Sequence, residues 1–177
     1  MSRRLVALTG VICLMLLGVG TAIATGHGDG GRHKGDHPGD HAKSVALFSD
    51  LNGRNELDAK TLQPGAGDPD GFGSASFTID GDQLCFGITV GNLDAPVMAH
   101  IHKGRKFENG PVVVPLTQPS SGDPGASSGC VQVTDAALLA DIQAHPRAYY
   151  TNVHTTAFPA GAVRGQLKRL GHAHRHH

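Results

Sequence analysis

Apolar and polar residues alternate in short runs along most of this chain, a period of two that predicts strands with one buried face. Val45 to Leu51 reads as a first strand. Ala75, Phe77 and Ile79 alternate with Ser76 and Thr78, Asp80-Gly81 supplies a turn, and Leu84 to Val90 returns as the second arm of a hairpin. Val97 to His102 and Val112 to Leu116 continue the pattern. Gln118 to Ser128, rich in Pro, Gly and Ser, reads as a loop before a strand at Cys130 to Val133. The period then changes once. After Thr134-Asp135, the residues Leu138, Leu139 and Ile142 fall on one stripe and Pro146 ends it, which predicts a single capped helix. Tyr149 to His154 and Ala162 to Leu170 are the last strands. Seven or eight short strands with one helix predict an all-β, Greek-key-like β-sandwich with one short inserted helix over residues 44–170.

The chain outside that region carries a different pattern. Met1-Ser2-Arg3-Arg4 precedes an apolar run from Leu5 that ends Ala22-Ile23-Ala24, the charged, apolar and small-residue order of a secretory signal peptide over residues 1–24. Nothing later is apolar enough to span a bilayer. Residues 25–43 are rich in Gly, His and Asp, with Gly35-Asp36-His37 repeated at Gly39-Asp40-His41, and residues 171–177 carry four more histidines. Both read as flexible tails that cannot bury a core.

Composition narrows the function classes. Removal of residues 1–24 leaves 153, enough for one domain with a real core. The formal net charge is zero, and no basic patch stands out in the sequence, so nucleic acid and anionic membrane are not expected partners. Cys85 and Cys130 remain after cleavage and lie on the strand parity opposite to Leu84, Phe86 and Val131. In a secreted chain such a pair predicts a disulfide. The expected location is secreted, either extracellular or in the periplasm and cell envelope.

Candidate chemistry rests on histidine. In Ala99-His100-Ile101-His102 the two imidazoles share one strand face while Val97, Ala99 and Ile101 take the other. His154 occupies the corresponding polar parity of a later strand. Three neutral nitrogen donors, His100, His102 and His154, suit copper, with zinc as the second choice. Cleavage after Ala24 would also place His27 third from a free amine, an arrangement of nitrogens that fits Cu(II) or Ni(II). Eight of the twelve histidines lie in the tails. Such tracts bind these metals weakly or titrate near neutrality. His145, before Pro146, reads as a helix-end residue rather than a fourth ligand. Arg164 and Gln166 share a strand face and are candidates to orient or charge-tune an open metal position; pairing with Asp50 or Glu56 is the competing expectation.

Three segments resemble the CHRD domain, the repeat module of chordin. Phe48 to Glu56 contains its opening L-x-G-x-x-E as Leu51-Asn52-Gly53-Arg54-Asn55-Glu56. Ala99 to Gly104 with Asn109-Gly110-Pro111-Val112-Val113 resembles the central motif. Tyr149 to Thr155 with Phe158 to Leu167 resembles the ending. The resemblance implies a secreted module of loosely defined role. A fainter likeness links the His-x-His strand and late histidine to copper/zinc superoxide dismutases, but residues 103–130 hold no histidine and so lack a zinc-binding loop.

Three function classes follow. The first is a secreted metal-binding module whose partners are metal ions and an extracellular protein. The second is an adhesion or matrix module in which the histidines are structural. The third is a copper-dependent dismutase-like enzyme, disfavoured by the missing loop. No Gly-x-Ser-x-Gly elbow or phosphate-cradling glycine motif is present, so hydrolase and nucleotide chemistry have no support, and no catalytic residue is assigned.

Overall fold

The computed structural model describes residues 44–170. The expected signal peptide, both histidine tails and His27 lie outside the described residues. The strands are β1 (Val45–Asn52), β2 (Phe72–Asp80), β3 (Gln83–Gly91), β4 (Pro96–Lys103), β5 (Val112–Leu116), β6 (Gly125–Gln132), β7 (Tyr149–Thr155), β8 (Val163–Gln166) and β9 (Lys168–Arg169), with one helix, α1 (Ala136–Ala144), between β6 and β7. All pairings are antiparallel and the sheet runs β5-β4-β7-β8-β1-β2-β3-β6, with β9 also on β1.

Only some neighbours in that order are neighbours in sequence. β1-β2-β3 is a meander, whereas the chain leaves β3 for β4 on the other side, returns after β5 to place β6 beside β3, and crosses back through α1 to β7. These crossovers are the Greek-key element that the strand count alone implied. The two ends of the sheet approach each other: Ser127 Oγ in β6 donates to Thr117 O just past β5 (2.8 Å), and Ser120 N to Ala126 O (3.2 Å). The sheet is therefore nearly closed around its apolar face. Leu47, Phe77, Ile79, Leu84 and Ile88 from one half meet Ile101, Val114, Val153, Val163 and Leu167 from the other in a single buried cluster. Each such side chain contributes about 1.5–3 kcal/mol on leaving water.

The helix forms where its pattern indicates. Asp135 caps it by accepting from Leu138 N (3.0 Å), Leu139 and Ile142 join the core, and Pro146 stops it, leaving His145 as the C-cap. His145 Nδ1 bonds Asp141 Oδ1 (2.8 Å) and is not among the histidines that cluster on the strands. Cys85 and Cys130 are register partners on β3 and β6 and are disulfide-bonded.

Four local expectations are corrected. Gly125 to Ser128 is strand, because β3 supplies a backbone ladder that its small side chains neither help nor hinder. The β2–β3 turn is Gly81-Asp82, one residue later than read, since Asp80 still pairs with Gln83 and Gly81 takes the positive φ of 59°. Val97 is exposed rather than in the core, because the β4–β7 register shifts between Pro96 and Met98. The last strand breaks at Leu167 into β8 and β9.

One strand is buried on both sides. Along β7 every residue is buried, including the polar parity of Tyr150, Asn152 and His154. That outer face is roofed by the loops 53–71, 104–111 and 156–162, which are tied down by backbone bonds such as Asp68 N to Ala162 O (2.8 Å) and Lys103 N to Pro111 O (3.0 Å). The roof creates a polar interior beside the apolar one.

Candidate metal centre

His100 and His102 on β4 and His154 on β7 meet in this polar layer. Their register partners, Asn152, Tyr150 and Met98, lie on the same sheet face. One ligand nitrogen from each of the three imidazoles lies within 4.8 Å of the others. Two rings are fixed by carbonyls. His102 Nδ1 bonds Gly110 O (2.9 Å) and His154 Nδ1 bonds Pro159 O (3.0 Å). A carbonyl only accepts, so both Nδ1 atoms carry the proton and both Nε2 atoms present a lone pair. His102 Nε2 is buried with no partner, and His154 Nε2 is 3.2 Å from His100 Nδ1, from which it accepts.

The surroundings keep these rings neutral. Burial lowers the His100 pKa to about 4, with His154 and His102 adding to the effect. Burial likewise lowers His102, against the opposing pull of the Gly110 carbonyl and Asn152, and Arg164 lowers it further. His154 is lowered by burial and by His102, with Pro159 O opposing. Neutral imidazole is the form that donates to a metal.

Arg164 and Gln166 act one layer out. The Arg164 guanidinium lies over the Tyr150 ring (Cζ 3.4 Å from the centroid), and Tyr150 stacks on His102 with centroids 4.8 Å apart and planes 9° from parallel. Arg164 also donates to Asn109 Oδ1 (3.0 Å), Arg105 O (3.0 Å) and Glu108 O (2.8 Å), holding the loop whose Gly110 orients His102. Gln166 Nε2 donates to Gly104 O (2.6 Å) and Arg147 O (3.0 Å). Neither residue bonds a histidine. The competing expectation is not met as a pair: Arg164 bonds neither carboxylate, Asp50 bonds Lys168 (3.0 Å), and Glu56 only feels the Arg164 charge.

Sequence reasoning did not place Tyr150 or Met98 in the layer, and named Glu56 only as a pairing partner for Arg164. Glu56 is 4 % exposed, its pKa raised to about 7 by burial against the opposing Arg164 charge and Asn152. A Cβ on Gly161, whose φ is +143°, would overlap its carboxyl group. Tyr150 links Arg164 to His102. Met98, opposite His154 and two residues before His100, lies on the histidine face and is exposed at the rim; the alternation Met-x-His-x-His was its readable signal.

No curated protein and no solved structure matches the chain. A family model described as the CHRD domain matches residues 47–167, which include every residue of this polar layer. The chain belongs to the CHRD domain family.

Proposed function

We propose that this CHRD domain is an extracellular binding module that holds one copper ion through His100, His102 and His154. The observation that carries the reading is the approach of one ligand nitrogen from each of the three imidazoles to within 4.8 Å, in a layer where the buried Nε2 of His102 has no partner. Leaving such an atom unpaired costs about 1–3 kcal/mol, and a metal is the partner that removes the cost. The donor set fits: three neutral nitrogens, two of them preset by carbonyl bonds, with half-exposed His100 the member free to adjust. Met98 on the same face favours copper over zinc, because a thioether is a soft ligand that suits Cu(I). The chemistry that copper would supply is ligand exchange or electron transfer at an open position. The protein's part is to keep the imidazoles neutral, fix two of their tautomers and shield the site with the 104–111 loop. The disulfide and the expected signal peptide support an oxidising, extracytoplasmic location. The histidine tails would gather metal more weakly.

The adhesion reading has one observation in its favour, since His102 and His154 do find carbonyl partners. It leaves the buried Nε2 of His102 unexplained. The discriminating experiment is a titration of the full chain with Cu(I), Cu(II) and Zn(II) beside a variant with His100, His102 and His154 all changed to alanine. Tail sites persist in both proteins. The expected result is one tight copper equivalent present in the parent and missing from the variant. Identical titrations would reduce the three histidines to structure.

A further inference from the structure

A large groove lies on the other side of Arg164 from the histidines. It encloses about 1180 Å³ between the Arg105–Phe107 loop, the Ala144–Ala148 corner, β8–β9 and the Asn55–Pro64 segment. Its charge is unlike that of the rest of the domain. Residues 44–170 contain nine Lys and Arg against twelve Asp and Glu, an acidic balance. Six of those nine cations line the groove, namely Arg105, Lys106, Arg147, Arg164, Lys168 and Arg169, together with only one of the twelve acids, Asp50.

Local pairing does not cancel this excess. Asp50 neutralises Lys168. Arg164 and Arg169 bond neutral acceptors, which leave their charge intact. Among the described residues, the side chains of Arg105, Lys106 and Arg147 have no hydrogen-bond or ion-pair partner. Nearby Asp141 is engaged by Lys103 and His145, and the Glu108 carboxylate turns onto the backbone N–H of Arg105. Between the cations the wall is apolar: Phe107 and Pro64 are exposed and Phe48 is half-buried.

We infer that this groove binds an extended acidic peptide segment of a partner protein, its carboxylates meeting Arg105, Lys106 and Arg147 and its apolar side chains meeting Phe48, Phe107 and Pro64. The size exceeds the usual 300–1,000 Å³ of small-ligand sites, which favours a chain over a small anion. Phe48 and Phe107 put apolar surface between the cations, which suits a segment that alternates carboxylates with apolar side chains; a polyanion without such side chains would leave that surface uncovered. Guanidinium forks match carboxylates in pairs.

The test is fluorescence anisotropy of the full chain, in chelator so that metal takes no part, with a labelled decapeptide alternating Glu and Leu. Comparators are a Lys/Leu decapeptide, a Glu/Ser decapeptide and dextran sulfate. The Glu/Leu peptide binds, the Lys/Leu peptide does not, and Glu/Ser binds roughly tenfold more weakly or worse. The double variant Arg105→Glu/Arg147→Glu loses at least about tenfold while its thermal midpoint holds, because both side chains are exposed and unpartnered. Phe107→Ser weakens Glu/Leu binding and leaves Glu/Ser binding alone. Absence of Glu/Leu binding overturns the inference. So does equal binding of Glu/Ser, or dextran sulfate binding as tightly with the same variant dependence, since either makes the groove a general polyanion site.

Discussion

Glu56 is a buried carboxyl whose environment shifts its ordinary chemistry. It is nearly sealed under Gly161 and the 53–71 loop, and burial outweighs the attraction of Arg164. Its folded pKa near 7 lies above its unfolded value of 4.5, so between those pH values the folded state holds a proton that the unfolded state has released. The sign is unfavourable to folding at high pH: stability from this group falls as pH rises through the window and levels off above it. A shift of this size corresponds to something on the order of 3 kcal/mol. Glu56→Gln keeps the shape and removes the titration. The variant's thermal midpoint should pull ahead of the parent's as pH rises from about 5 to 8, in metal-free protein. The histidines, all lowered, act in the opposite direction, losing stability as pH falls, but they are common to both proteins and cancel in the difference. A midpoint difference that stays constant across that range would show Glu56 to be ionised in the fold throughout.

At the scale of elements, what could be read from sequence was whatever depends on one face of one strand. Period-two alternation placed β1 to β5 and β7, the Asp135 cap and Pro146 framed α1, and the parity of Cys85 and Cys130 pointed to their disulfide. Segments whose state depends on a distant partner were not legible. Gly125-Ala126-Ser127-Ser128 has no apolar parity, and only the ladder with β3 makes it strand. The same limit applied to the histidine layer: alternation put His100 and His102 on one face, but their burial comes from loops far away in sequence, such as Gly110 over His102 and Pro159 beside His154. β6 itself follows from this. Poor in intrinsic strand preference and at the edge of the sheet, it is clamped by the disulfide, which closes a separation of 45 residues. Replacing both cysteines with alanine should cost roughly 3–4 kcal/mol on loop-closure grounds. Amide exchange should rise first in Gly125–Gln132, while β4 and β7 keep their protection. Uniform acceleration across the sheet would mean that the bridge stabilises the whole fold rather than its edge.

The domain over residues 44–170 is built as two interiors on one sheet, an apolar one enclosed by its curvature and a polar one beneath the loops, and Arg164 joins the polar interior to the groove outside. At 1 % exposure it is the largest fully buried side chain among the described residues. Its guanidinium reaches toward the histidines through Tyr150 and toward the groove through the carbonyls of Arg105 and Glu108, on the loop that also carries Lys106 and Phe107. Lysine at this position keeps the charge but has no planar fork to satisfy three acceptors while lying flat on a ring. Arg164→Lys should therefore destabilise the fold by roughly 2–4 kcal/mol, the cost of a buried charge with incomplete partners. Because the lost bonds belong to the loop, amide exchange over residues 105–110 should rise more than the global loss requires. Two binding consequences separate this residue's reach from simple destabilisation. Below the thermal midpoint, copper affinity should fall because Gly110 no longer holds His102 firmly, and affinity for the Glu/Leu peptide should fall because Arg105 and Phe107 lose their fixed positions. A variant less stable yet unchanged in both affinities would show that Gln166 and Tyr150 hold the loop without Arg164, and that the two sites are independent features of the same surface.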